Sequence, residues 1–422
     1  MAERKTIKYL WITPKWPLPA NDGARVATCG LIQNLSSLGD EIDLLAIAGS
    51  NEDVREEEAK KLLGVANVYV VRRNSSAISR GIVSVLKHAA ALLANPLTPL
   101  TMRHYAARHV QDEVNAVLTG KGASAGWDAV VYDGLHPACH AASNGEFAKN
   151  YKAPLVVYRA HNCEAQIWER KSKQLSRGIM KKILEWQTGL VRRFERSVVA
   201  NVDRVVAVSP QDLKLLTRDA PVKAGNVIPI GFEFDSFPDR RAVIPGQMLF
   251  LGRLDWLPNS EGLKWLLDNV WPAVVSKRED LKLVIAGSGD GSWLARYHKL
   301  PGLDVRGFVE NPSELFKESV VSLVPLFVGS GTRVKVIEAC KYGCPCISTA
   351  LGVEGIGLQE GKQYLRAESV DQWEDIILNI EKYNLKEIGY RAFRFARINY
   401  SAERAARNFR KFVSNSKGVN CD

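Results

Sequence analysis

Three observations predict an α/β protein built from two Rossmann-like, doubly wound domains. Strand-length apolar runs alternate with helical stretches along the whole chain, the pattern of βαβ units. Several of the runs are apolar throughout rather than alternating, as parallel strands covered by helices on both faces require. The chain has 422 residues, about three typical domain lengths, and the strand–helix pattern occurs twice.

In chain order, the first half offers strands at 7–13, 42–48, 68–71, 129–132, 155–159 and 204–208, and the second at 248–252, 281–287, 322–326 and 346–349. The boundary lies in 229–246, where Pro229, Gly231, Pro238, Pro245 and Gly246 cluster with charged residues. One domain is expected over 1–235 and a second over 246–395, followed by a closing segment at 396–422.

Composition narrows the function. Hydrophobic residues are 46% and charged residues 24%, ordinary for a globular chain and unlike disorder, collagen or a coiled coil. The formal net charge of +11 points to an anionic partner: nucleic acid, an anionic membrane surface or a phosphorylated substrate. The surplus leans to the first half, where residues 1–240 carry 32 basic and 25 acidic groups. Its densest source is 164–196, with Ile179, Ile183, Trp186, Leu190 and Phe194 at helical spacing. That stripe reads either as the buried side of a helix with a solvated basic face or as a surface for anionic lipid. No interleaving of aromatic and basic residues suggests a nucleic-acid-binding sheet, so no nucleic-acid partner is expected.

The start, Met1-Ala2-Glu3-Arg4-Lys5, is charged and does not read as a signal peptide. The most membrane-like run, 82–93, is broken by Lys87 and His88 and falls short of the ~20 apolar residues of a span. The seven cysteines lack the spacing of a zinc site, and a reduced, structural role in a cytoplasmic protein is expected. No metal-binding acidic cluster is visible.

Five loops follow strands and could carry chemistry, because ligands of open α/β sheets bind outside the carboxyl ends of the strands. After the first strand, three prolines stiffen a loop that runs through Gly23-Ala24-Arg25, whose small residues let a ligand approach, and the helix expected from about Val26 presents free N–H groups to an anion or a sugar. After the fifth, His161-Asn162-Cys163-Glu164 places an imidazole at a strand end, able to bond sugar hydroxyls or phosphate. Gly252-Arg253 puts a guanidinium at the edge of the second sheet, suited to forked binding of a diphosphate. Gly287-Ser288-Gly289-Asp290-Gly291 lacks the spacing and the later acid of a dinucleotide site. The richest segment is Gly329-Ser330-Gly331-Thr332-Arg333-Val334-Lys335-Val336-Ile337-Glu338. A helix beginning near Thr332 offers backbone N–H groups to phosphate, Arg333 and Lys335 add charge, and Glu338 can accept from a ribose diol.

On these residues the chain resembles the retaining glycosyltransferases of family 4, which have the two-domain GT-B fold. The resemblance spans nearly the whole chain: Gly252-Arg253, Gly287-Ser288-Gly289, Gly307-Phe308-Val309 and Gly329 through Thr349 in the second half, with the Gly23 loop, His161 and Val227-Ile228-Pro229-Ile230-Gly231 in the first. It implies two domains facing across a cleft, and a Tyr400-Ser401-Ala402-Glu403 helix that crosses back to the first domain. It also implies a nucleotide diphosphate sugar as donor, with no cofactor and no metal. The acceptor would be a glycan, a lipid-linked glycan or a small molecule held by the first domain, in cell-surface polysaccharide or glycoconjugate synthesis. Enzymes of this kind work in the cytoplasm or peripherally on the inner face of the membrane.

The implied roles are specific. Glu338 holds the ribose. Gly252, Arg253, Val309, Ser330, Gly331, Thr332, Arg333 and Lys335 hold the nucleotide and diphosphate. His161, with Asn162 and Glu164 beside it, meets the transferred sugar. The acceptor hydroxyl attacks from the front face, and the departing phosphate takes its proton. Two departures stand out. The family often has a glutamate eight positions before Glu338, where this chain has Ser330. It often has a diphosphate-binding lysine after the Gly-Arg strand, where this chain has Pro258-Asn259-Ser260. Rival readings are a GT-B sugar-nucleotide epimerase or phosphorylase, and a non-catalytic nucleic-acid or membrane-binding protein.

Overall fold

The computed structural model describes residues 5–20, 23–74, 97–119, 126–142, 155–174, 177–218, 220–239, 242–328 and 333–415. The run 82–93, the loop 329–332 with Ser330, Gly331 and Thr332, and Cys421 lie outside them.

The chain forms two compact units, Met1–Gly231 with Ala402–Asp422, and Phe232–Ser401. The first holds a seven-stranded, all-parallel sheet in the order β3-β2-β1-β4-β5-β6-β7. Its strands are β1 Lys8–Thr13, β2 Glu41–Gly49, β3 Asn67–Arg73, β4 Ala129–Asp133, β5 Leu155–Ala160, β6 Arg204–Ala207 and β7 Gly225–Val227. The second holds a six-stranded parallel sheet in the order β10-β9-β8-β11-β12-β13. Those strands are β8 Gln247–Leu251, β9 Lys282–Ala286, β10 Leu303–Gly307, β11 Val321–Val324, β12 Cys346–Ser348 and β13 Leu365–Arg366. These two doubly wound sheets are the GT-B architecture expected from the sequence.

Strand β1 shows why apolar runs become strands here. Successive side chains point to opposite faces. Leu10 and Ile12 enter one core with Leu45, Ile47, Val130 and Tyr132, while Tyr9 and Trp11 enter the other with Leu44, Ala46, Ala129 and Val131. Both faces are covered, so polar alternation would leave unpaired groups inside.

Helix α1, Gly23–Ser37, contributes Leu31, Ile32 and Leu35 to the second of these cores. The closing helix Ala402–Ser414 packs beside it, with Phe409 fully buried 6.1 Å from the Tyr9 ring and 5.4 Å from Trp11. Arg410 clamps the buried Asp40 through two contacts of 2.9 Å. Gly231 is required here: a Cβ would come within 2.5 Å of the Ala402 Cα.

Three strands escaped the sequence reading: β7, β10 and β13. All three are sheet edges; β7 and β13 have three residues or fewer, and β10 (Leu-Asp-Val-Arg-Gly) is half exposed and lacks a continuous apolar run. The basic stretch 164–196 is not one helix. It divides into α2 Glu164–Gln174 and α3 Ile179–Asn201, with Gly178 at φ 155° before α3. The apolar stripe is buried only in its second half: Leu190 is covered, whereas Ile179 and Trp186 are exposed. Helix α1 begins at Gly23 rather than Val26.

Candidate active site

In each sheet one strand has neighbours reached by windings of opposite direction. Strand β1 lies between β2 and β4, and β8 between β9 and β11. Such switch points open a crevice at the carboxyl ends of the strands. The described residues singled out from the sequence stand in the loops and helices that follow strands, each within its own unit.

In the first unit, Gly23, Ala24 and Arg25 form the first turn of α1. Arg25 is committed to the scaffold. Its Nε donates to the Trp16 carbonyl at 2.9 Å and its Nη2 pairs with Glu52 Oε1 at 2.8 Å. Glu52 in turn accepts from the Gly49 and Trp16 N–H groups at 2.8 and 3.2 Å. The guanidinium thus staples the loop after β1 to the end of β2.

His161 follows β5, and a residue not expected from the sequence holds it. Asp133, the last residue of β4, is fully buried and receives His161 Nε2 on Oδ1 at 2.9 Å and Arg159 Nη1 at 2.6 Å. Its Oδ2 accepts from Trp11 Nε1 at 3.1 Å and Thr28 Oγ1 at 2.5 Å. Burial alone would raise the Asp133 pKa. The charges of Arg159 and His161, with the hydrogen bonds from His161 and Thr28, outweigh it and hold the carboxyl below its ordinary value. The signal that picked out His161, a polar residue at the end of an apolar strand, also applies to Asp133.

Asn162 Nδ2 donates to Glu164 Oε1 at 3.3 Å, and the Glu164 N–H donates to Glu195 Oε1 at 2.9 Å. Burial pushes Glu195 up to about 7. A second unanticipated cluster joins Arg73, Tyr105 and His136. The Arg73 cation lies 4.8 Å over the Tyr105 ring, which stands 5.0 Å from His136. The Tyr105 hydroxyl donates to the Pro14 carbonyl at 3.0 Å, which fixes the loop after β1.

In the second unit, Gly252 and Arg253 follow β8. Gly287 packs so tightly on this turn that a Cβ would come within 1.8 Å of the Gly252 oxygen. Arg253 is exposed and forms a fork with Asp255, at 3.0 and 2.7 Å. Helix α4, Leu257–Asn269, supplies the buried Asn259, whose Nδ2 donates to the Arg253 carbonyl at 3.0 Å. Helix α5, Val334–Lys341, starts two residues later than expected. Its Lys335 places Nζ 2.7 Å from Asn259 Oδ1 and 5.0 Å above the Phe250 ring. A cation from α5 therefore reaches the start of α4, where the sequence has no lysine of its own. Buried Arg333 donates from Nε to the Leu351 carbonyl at 3.2 Å. Val309 is half-buried next to exposed Phe308.

Two groups on α5 have opposite shifts. Burial pushes Lys335 down to about 7, and the charge of Arg333 adds to the effect. Burial pushes Glu338 up to about 7, opposed only weakly by Lys341. Both ionise near neutrality, where a ligand can decide their state.

Six cysteines, including Cys340, Cys344 and Cys346, are buried free thiols. Among the described residues no group of three or more His, Cys, Asp or Glu side chains could hold a metal ion. Among them, no helix is long and apolar enough to cross a membrane.

The two wound sheets are those of the GT-B fold. The chain belongs to the glycosyl transferases group 1: that family's model matches 245–382, and the glycosyl transferase 4-like domain matches 22–231. The chain is 22% identical over 409 residues to an "uncharacterized 44.6 kDa protein in cps region" of Klebsiella pneumoniae, covering 94% of this chain and 97% of that one. Among solved structures it is similar to the sucrose-phosphate synthase of Thermosynechococcus elongatus, at 15% identity and a TM-score of 0.64, covering 96% of this chain and 98% of that one. It is likewise similar to HepE of Anabaena in complex with UDP and glucose, at 12% identity and a TM-score of 0.60, covering 97% and 99%.

Proposed function

We propose that the protein is a retaining glycosyltransferase that moves a sugar from a nucleotide diphosphate sugar to an acceptor hydroxyl. The observation that carries this reading is the α4–α5 corner of the second unit. There Lys335 meets the amide of Asn259 beside the Gly252-Arg253 turn, the charge of buried Arg333 acts on Lys335, and Glu338 stands one turn further along α5. Cations followed by a carboxylate suit a diphosphate followed by a ribose diol. The UDP bound by the Anabaena protein favours a uridine nucleotide here.

In this reading Glu338 accepts from the ribose hydroxyls. Arg253, Arg333 and Lys335, with the amides of Ser330, Gly331 and Thr332, offset the charge that builds on the leaving diphosphate. Lys335 takes the place of the lysine that the family often has after its Gly-Arg strand. The acceptor hydroxyl attacks the anomeric carbon on the face the diphosphate leaves, and a diphosphate oxygen takes its proton. No metal ion enters this scheme.

The acceptor is a glycan of a cell-surface polysaccharide, a reading that the relative in a cps region supports. A lipid-linked acceptor would bring the protein to the inner face of the membrane. The exposed Ile179, Met180 and Trp186 at the start of α3, beside Lys181 and Lys182, suit contact with an anionic bilayer. Buried free thiols suit the reducing cytoplasm.

A thermal-shift screen of nucleotide sugars tests the donor, because ligand binding raises the melting temperature. At least one nucleotide sugar should stabilise the protein and be consumed only when acceptor is added. Conversion of the donor without acceptor would identify an epimerase instead. No stabilisation by any nucleotide sugar would overturn the reading.

A further inference from the structure

Asp133 receives more hydrogen bonds than a scaffold contact needs. Its carboxylate collects four donors from four segments: Trp11 of β1, Thr28 of α1, Arg159 of β5 and His161 just beyond β5. Of these partners only His161 is partly open to solvent, its side chain 17% exposed against 3% for Arg159. Because the carboxylate is held ionised, it can only accept. The His161 Nε2 atom must therefore carry its proton toward Asp133. In the neutral ring this leaves the lone pair on Nδ1, and Nδ1 is buried with no hydrogen-bond partner among the described residues. A buried acceptor without a donor is costly. At a strand end beside the switch point, a ligand hydroxyl would satisfy it.

We infer that Asp133 is a positioning residue: it fixes the tautomer and angle of His161 so that Nδ1 accepts a hydrogen bond from a hydroxyl of the transferred sugar. This rests on the glycosyltransferase reading above. Asp133 touches no substrate and acts through the imidazole. Thr28 and Trp11 hold the carboxylate from its other oxygen, so the start of α1 and the His161 ring share one anchor. A purely structural Asp133, balancing the buried charge of Arg159, would serve the fold equally well with or without the His161 ring.

The test combines a spectroscopic readout with a double-mutant cycle on the full-length protein. In wild type, nitrogen NMR of the imidazoles should show His161 with a protonated Nε2 and a bare Nδ1. In Asp133→Asn the two tautomers should mix. Turnover of Asp133→Asn should fall roughly ten- to a hundredfold, the range for a metal-bound histidine that loses its orienting partner, with donor KM changed less than about threefold. In a His161→Ala background the same change should cost less than about twofold. Should Asp133→Asn not fold, Thr28→Val removes one support of the carboxylate, and should give a smaller turnover loss that also vanishes in the His161→Ala background. An unchanged tautomer in the variant, or an equal loss in both backgrounds, would overturn the proposal. A wild-type protein that transfers no sugar would overturn the functional reading instead, and the NMR result would still decide whether Asp133 sets the ring.

Discussion

The opposite shifts of Glu338 and Lys335 predict a bell-shaped pH dependence of donor binding. Glu338 ionises at about 7, and only the carboxylate accepts both hydrogen bonds of a ribose diol. Below that value the competent fraction falls toward a factor of ten per pH unit. Lys335 also loses its proton at about 7, and only the ammonium attracts a diphosphate. Above that value its charged fraction falls just as steeply. Affinity should peak near neutrality, drop about threefold one unit away on either side, and then fall toward about tenfold for each further unit. A nucleotide sugar is the proper probe, because its diphosphate has no proton to lose in this range. Calorimetry with UDP-glucose, or with the best donor from the screen, should be run from acid to alkaline pH on three proteins. Glu338→Gln should flatten the acid limb only, and Lys335→Met the alkaline limb only. An acid limb that survives in Glu338→Gln would refute the assignment of the ribose contact.

Further outcomes are expected at other positions. Arg253→Ala should weaken donor binding about tenfold, the loss of one charge-assisted contact, and unchanged affinity would leave Arg253 a surface partner of Asp255. Protein stripped with a chelator should keep its transfer activity; full loss restored by a divalent ion would refute the metal-free scheme. Phe409→Ala should lower the stability of the first unit by about 3–5 kcal/mol, since it empties a fully buried site against Tyr9 and Trp11. An unchanged urea midpoint would show that the closing helix does not support that core.

Much of the fold was legible because buried parallel strands leave an unambiguous trace. Ten strands announced themselves as apolar runs followed by glycine, proline or polar residues. The three that did not, β7, β10 and β13, each have a neighbour on one side only. An edge carries less apolar sequence because less of it is covered. The stripe of 164–196 misled in a different way. Helical spacing reports which residues share a face, but not whether anything covers that face, and Ile179 and Trp186 lie on it in the open.

The candidate site divides along the same line. His161, Arg253, Lys335 and Glu338 were visible from the sequence because each stands just past a strand end or within a loop–helix motif, positions that local order defines. Asp133 was not singled out, though it ends a strand as His161 nearly does. Its importance comes from meeting Trp11, Thr28, Arg159 and His161, separated by up to 122 residues. Likewise, nothing in the spacing of Asn259 and Lys335, 76 residues apart, reveals that one side chain reaches the other. The amino-acid order by itself determined the two wound sheets and which strand ends carry polar groups, because periodicity and turn chemistry are local properties. Only the tertiary structure decided which of those groups share a proton, a charge or a burial cost, because these depend on distances that the chain closes when its strands line up side by side.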